Sequence, residues 1–264
     1  MTTWVLLRGL ARESRHWGEF PRLLQQALPA GDEVLALDLP GNGSRWRERS
    51  PASVEALAEA ARAEWQRRGA PGPVVLVALS LGGMVALQWA MRHTAEVRGC
   101  VLVNSSLRGL AMPWQRLRPR ALAELLFVAL RGDAHARERR VLRLTSNYPV
   151  CDATAEDWTA HARSAPVSRA NMLRQLLAAA RFRAPRAAPP VPLLLLASTQ
   201  DRLASVLCSR AMARAWQAPL VEHPTAGHDL ALDEPAWFAR QVAQWAVPPA
   251  GASAPRHEFA MKLQ

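Results

Sequence analysis

Cysteine is scarce in this 264-residue chain, which carries only Cys100, Cys151 and Cys208. Three thiols so widely spaced exclude a disulfide framework and a cysteine-ligated metal cluster. Lysine is nearly absent: Lys262 stands alone among 33 basic residues, so arginine carries the positive charge. No apolar run approaches the ~18 residues that a membrane-spanning helix needs. The opening residues, Met1 to Arg8, lack the basic segment and long apolar core of a secretory signal. A reduced, cytoplasmic, soluble protein is the expectation. There is no internal repeat, and no nucleic-acid-binding motif accompanies the arginines, so no nucleic-acid partner is expected.

What is present suffices for one large core. Half the residues are hydrophobic, and the length sits near the ~250–300 residues at which single cores stop growing. The net charge of +11 is unevenly spread. Residues 105–190 hold fifteen arginines against six acids (Glu124, Asp133, Glu138, Asp152, Glu156 and Asp157), and so supply nine of the eleven excess charges. Solvated helix faces account for such an excess, while a local positive field also steers anionic substrates or partners.

Short apolar runs at residues 4–7, 34–37, 74–79, 100–103 and 193–197 read as strands. Each is continuous rather than alternating, as expected when both faces of a sheet are covered. Helical patterns fall at about 16–28, 53–68, 81–93, 203–217 and 234–246. This alternation predicts an α/β fold with a mostly parallel sheet flanked by helices. Residues 105–185 break the rhythm with helices at about 113–131, 133–146, 154–164 and 167–182, and no strand between them. They read as an all-helical cap inserted into a core of residues 1–104 and 186–247. The Pro- and Ala-rich stretch at 248–264 reads as a disordered tail.

The chemistry begins at Ala78-Leu79-Ser80-Leu81-Gly82, where an apolar strand runs directly into a helical pattern. A sharp strand-to-helix turn strains its central residue and tolerates only small residues two before and two after. Ala78 and Gly82 meet that need, and the turn lifts the Ser80 hydroxyl above the sheet edge. The Leu81 N–H then becomes an oxyanion donor at a helix N-terminus. A serine that merely caps a helix is the competing reading.

With this motif the chain resembles the α/β-hydrolase superfamily, and the resemblance runs over nearly its whole length. Leu6-Leu7-Arg8-Gly9-Leu10 stands where the family has His-Gly-x, which implies the Leu10 N–H as second oxyanion donor. Asp38-Leu39-Pro40-Gly41-Asn42-Gly43-Ser44 is similar to its Asp-x-x-Gly-x-Gly-x-Ser loop. Ser198-Thr199-Gln200-Asp201 and Ala226-Gly227-His228-Asp229 follow in the family's order of serine, acid and histidine. A serine hydroxyl needs a neutral imidazole to take its proton, and a carboxylate must hold that imidazole in one tautomer. Asp201 and His228 are thus the expected partners of Ser80. His223, at a strand end (219–222), is the alternative base. Asp38 is the alternative acid, although an aspartate heading such a turn more often ties a loop. Asp229 adjoins His228 and reads as scaffolding, and Asp133 as a surface charge.

Three departures stand out, the first being Ala78 where the family's motif has glycine. Arg8 replaces the family's histidine, and the glycine expected shortly before the acid is missing from Ser198-Thr199-Gln200. Arg8 either pins its loop or places a fixed charge near the substrate. Candidate substrate contacts are Arg8, His16, Trp17, Ser105, Ser106, Leu107, Trp114, Phe127, Tyr148, Trp158 and Met172, although aromatic and Met residues at helical spacing are more often core.

The resemblance implies a serine hydrolase that cleaves a carboxylic ester without cofactor or metal. Lactone opening, carbon–carbon bond hydrolysis and perhydrolysis use the same residues, and a non-catalytic binding protein on this scaffold is the reading from another class. The layout is similar to the esterases that cleave methyl esters of carrier-bound acyl groups, so an acidic carrier protein at the Arg-rich cap is a further expectation.

Overall fold

The computed structural model describes residues 1–69, 72–130 and 133–245. The expected tail at 248–264 lies outside them. Six parallel strands form one sheet: β1 (Thr3–Leu7), β2 (Glu33–Leu37), β3 (Val74–Leu79), β4 (Val97–Val103), β5 (Leu193–Ser198) and β6 (Leu220–His223). Their spatial order is β2-β1-β3-β4-β5-β6, so the order in which strands add to the sheet reverses after β2, with β3 on the other side of β1. β6 occupies the strand-like stretch seen at 219–222.

The continuous apolar runs are explained by period-two side-chain alternation. Val5, Leu7, Val74, Leu76 and Ala78 feed one core, beneath α2 (Val54–Arg67), α3 (Leu81–Arg92) and α9 (Leu207–Trp216). Trp4, Leu6, Val75, Val77 and Leu79 feed the other, beneath α1 (Phe20–Ala27) and α11 (Pro235–Gln244). Phe20 and Phe238 stack there with centroids 4.0 Å apart. Full burial of each such side chain is worth ~1.5–3 kcal/mol.

Between β4 and β5 lie α4 (Pro113–Arg116), α5 (Pro119–Leu130), α6 (Ala134–Thr145), α7 (Asp152–Ser164) and α8 (Arg169–Arg181), with isolated bridges but no strand among the described residues. The base of this helical insert closes where Arg108 bridges Arg183 and the Ala184 N–H donates to the Arg108 carbonyl at 2.8 Å. A short α10 (Leu230–Asp233) precedes α11.

Several expected helices are shorter than their apolar patterns. The one at 113–131 splits at Leu117, which is extended, and restarts with Pro119 as the first residue of α5, where its missing N–H costs no helical bond. The one at 16–28 divides into a 3-10 turn (Ser14–Trp17) and α1, separated by Gly18 at φ +54°. The one at 203–217 starts only at Leu207, because the Asp201 carboxylate captures the Leu203 and Ala204 N–H groups.

Candidate active site

Ser80 sits at the β3–α3 turn with φ +58° and ψ −117°, a conformation that L residues rarely adopt. The turn is clamped from three sides. The Ser80 N–H donates to the Val103 carbonyl at 2.9 Å, and the Ser80 carbonyl accepts from Gly83 N–H at 3.0 Å and from Ser105 Oγ at 2.8 Å. A Cβ on Gly82 would lie 2.3 Å from the Leu7 carbonyl oxygen, so only glycine lets α3 leave the sheet here. Gly9 is tight but less strictly required, since an added Cβ would meet the Ser80 Cβ at 3.1 Å. Ala78, by contrast, is accommodated in the buried strand.

His228 lies in the loop after β6, and its Nδ1–H donates to Asp201 Oδ2 at 2.6 Å. Both residues are buried. The other Asp201 oxygen accepts from Leu203 N–H at 2.7 Å and Ala204 N–H at 2.9 Å, which fixes the carboxylate before it meets the ring. Burial lowers the basicity of the imidazole, but the charge and hydrogen bond of Asp201, aided by Asp229 and opposed by Arg8, outweigh it. The net effect raises the His228 pKa above its ordinary value.

Ser80, Leu81, Leu10 and His228 all border one cavity of about 820 Å³. The Leu81 N–H belongs to the first turn of α3, where backbone donors have no intrahelical acceptor. A tautomerically fixed imidazole and a serine raised on its turn thus border the same cavity.

Arg8 is buried and paired with Asp229, Nη1 to Oδ1 at 2.9 Å and Nη2 to Oδ2 at 2.5 Å. Its guanidinium also covers the Trp17 ring, 4.9 Å from the centroid. The pair ties the loop after β1 to the loop carrying His228, so Arg8 borders the cavity while its charge is neutralised by Asp229. Asp38 is a loop tie, accepting from Ser14 N–H, Ser44 N–H and Ser44 Oγ at 2.7–2.8 Å. His223 Nδ1 accepts from Ala226 N–H at 3.0 Å, which occupies it in shaping the same loop as His228. Asp133 caps α6 through the Ala136 N–H.

The expected substrate contacts divide. Arg8, His16, Ser106 and Met172 border the cavity. Trp17 does not: it is fully buried against Phe20 and Phe238, because the 3-10 turn directs it under the sheet. Ser105 is spent on the Ser80 carbonyl. Trp114 is exposed on α4, while its neighbours Pro113, Gln115 and Arg116 border the cavity. Leu107 joins the core, Phe127 lies under Arg140, Tyr148 bonds Thr225 and Glu234, and Trp158 packs beneath Arg12 and His16. Trp17, Ser105, Leu107, Trp114, Phe127, Tyr148 and Trp158 thus do not border the cavity.

Three positioning residues have no motif to announce them. Asn104, at φ +45° just after β4, bonds Ser198 through both amide atoms and donates to the His228 carbonyl at 2.9 Å. It locks the acid and histidine loops together. Gln175 of α8 accepts from the Ala11 N–H at 2.9 Å and donates to Asn42 Oδ1 at 2.9 Å. This ties the loop that carries Leu10 to the helical insert. Asp233 accepts from the Gly227 and Asn147 N–H groups at 2.7 and 2.9 Å, bracing the histidine loop against the insert. An Asn directly after a strand is the only sequence cue among these, since Asn tolerates positive φ.

Glu13, His16 and His161 cluster with potential ligand atoms within 4.8 Å of one another. Arg15 lies 2.6 Å from Glu13 and Arg12 3.1 Å from His16, and these guanidinium charges oppose a cation there.

A model described as "Alpha/beta hydrolase family" matches residues 4–241. The pimeloyl-[acyl-carrier protein] methyl ester esterase of Chromobacterium violaceum is 29% identical over 240 residues, covering 87% of this chain and 89% of that protein. The biotin biosynthesis bifunctional protein of Teredinibacter turnerae is 26% identical over 151 residues, 54% of this chain, and the match spans only 25% of that longer protein. Among solved structures, a thermophilic esterase from Thermogutta terrifontis superimposes with a TM-score of 0.70 at 21% identity, covering 93% of this chain and 89% of that one, a likeness of fold.

Proposed function

The chain belongs to the alpha/beta hydrolase family, and from that premise we propose that it cleaves a carboxylic ester through an acyl-enzyme, with Ser80 as nucleophile, His228 as base and Asp201 as the carboxylate that orients the base. The observation that carries this reading is the buried 2.6 Å bond from His228 Nδ1–H to Asp201, on the wall of the cavity that Ser80 also borders. With Nδ1 holding the proton, Nε2 keeps its lone pair for the Ser80 hydroxyl.

Ser80 Oγ attacks the ester carbonyl as its proton passes to His228 Nε2. The carbonyl oxygen takes up the negative charge between the N–H groups of Leu10 and Leu81. Collapse of the tetrahedral intermediate breaks the bond to the alkoxy group, which leaves as the alcohol with the proton from His228. Water then attacks the acyl-enzyme, giving its proton to His228, and Ser80 is released with a carboxylic acid as product. Each oxyanion donor is worth ~3–4 kcal/mol at such sites. The helical insert acts as the cap of this site, with α5, α6 and α8 closing the cavity over the core.

The substrate reading follows from the Chromobacterium violaceum relative, whose name describes hydrolysis of a methyl ester on a carrier-bound acyl chain. We infer the same class here, with the positive insert facing an acidic carrier.

The test is hydrolysis of p-nitrophenyl esters from acetate to decanoate, and of a carrier-bound methyl ester, by wild type and Ser80→Ala. Turnover by wild type alone supports the assignment, and the chain-length profile measures the cavity. A wild type that neither turns over esters nor reacts with a fluorophosphonate at Ser80 is a binding protein on a hydrolase scaffold.

A further inference from the structure

Five arginines border the cavity: Arg8, Arg12, Arg108, Arg116 and Arg137. Two of them are neutralised, Arg8 by Asp229 and Arg12 by Glu138 at 2.6 Å. Among the described residues, no carboxylate forms an ion pair with Arg108, Arg116 or Arg137.

Arg116 is held in the wall by the carbonyls of Ala179 and Ala180, at 2.6 and 3.4 Å, near the end of α8. These dipoles offset part of its charge and supply no counterion. Its Nε is buried without an acceptor, and so is the Nε of Arg137 on α6. Burial depresses the Arg116 pKa, and the nearby charge of Arg108 depresses it further. The orphaned Nε donors of Arg116 and Arg137 stand in a wall otherwise lined by residues such as Leu110, Leu117, Leu125 and Leu176, where an unpartnered donor is costly unless an anion joins it, and the exposed Arg108 adds its charge beside Arg116.

Guanidinium groups present paired N–H donors that match the oxygens of carboxylate or phosphate. We propose that Arg108 and Arg116, with Arg137, form an anion subsite for a carboxylate or phosphate carried by the substrate in addition to its ester. The proposal rests on the ester-hydrolase reading for its catalytic consequence, and on the cavity alone for binding. The enzyme would select esters with a second, charged end over neutral esters of equal length.

Two measurements separate these layers. The first compares kcat/KM for p-nitrophenyl heptanoate with the mono-p-nitrophenyl ester of heptanedioic acid and with a 7-phosphooxyheptanoate ester, in wild type, Arg108→Gln and Arg116→Lys. A wild-type preference of about tenfold or more for a charged ester is expected, shrinking in both variants. The Lys variant tests the fork, since it keeps the charge and loses the paired donors. The second is calorimetric binding of heptanedioate and of heptyl phosphate to Ser80→Ala, alone and combined with Arg108→Gln. Saturable binding that weakens in the combined variant supports the subsite, and the tighter ligand identifies the anion. If no ester turns over but binding behaves this way, the ester reading fails and the subsite stands. Equal handling of neutral and charged esters, with no measurable binding of either anion, overturns the proposal.

Discussion

Replacing Asp229 with Asn would strand the Arg8 guanidinium in a buried site, with its Nε already lacking an acceptor. Removing one partner of a buried ion pair costs ~3–5 kcal/mol, because the remaining charge has left water without compensation. At ~2–4 °C per kcal/mol for a domain approaching this size, the expected fall in Tm is roughly 6–20 °C. Arg8→Met with Asp229→Leu removes both charges together, and hydrophobic replacement of a buried pair is often close to neutral. The double variant forfeits the cation–π contact with Trp17, about 1–2 kcal/mol, and should otherwise recover most of the loss. Calorimetric unfolding of wild type, Arg8→Met, Asp229→Leu and the double variant closes the cycle. A second readout reports on the site itself. The Asp229 charge raises the His228 pKa and Arg8 lowers it, so Asp229→Asn should move the acid limb of the rate profile to lower pH. An Asp229→Asn variant less than about 1 kcal/mol weaker than wild type, or a double variant as unstable as the sum of the singles, would refute the argument.

Other outcomes follow from the same contacts. Asp201→Asn should lower kcat by about 10³–10⁴ with little change in KM, because the amide no longer enforces the Nδ1–H tautomer; steady-state kinetics on one ester decides it. His228 must be neutral to accept the Ser80 proton, and its pKa is raised, so kcat/KM should fall as pH drops through a value above the ordinary ~6.5 of imidazole. A pH–rate profile with its acid limb below that value would contradict the balance of charges described. Gln175→Leu leaves the Ala11 N–H and the Asn42 Oδ1 without their partners, costing about 1–3 kcal/mol each in stability, and should lower kcat more than it raises KM by loosening the loop that carries Leu10.

The strands were legible because each is a local pattern: Val74–Leu79 is apolar at every position, and both sheet faces are covered. The turn at Ser80 was legible for a similar reason. Small residues at 78 and 82 mark a backbone requirement, and the structure shows that Gly82 bears it more strictly than Ala78. Helix ends were read less well, since side chains elsewhere decide them, as when Asp201 takes the Leu203 and Ala204 N–H groups and delays α9. The helical insert was the least readable part. Its aromatic spacing does not say which side faces the cavity, so Trp114 and Phe127, exposed in the structure, looked the same as lining residues.

By itself the sequence determined the alternation of strand and helix, the helical interruption between β4 and β5, and the residue types able to pass a proton from Ser80. Those are properties of period, turn chemistry and functional groups, which act over a few residues. The tertiary structure alone decided the partnerships. Arg8 finds Asp229 across 221 positions, Gln175 finds Ala11 across 164, and Asn104 joins loops after two other strands. Such contacts depend on where parallel crossovers return each loop to the same sheet edge, and no local pattern in the chain encodes that distance.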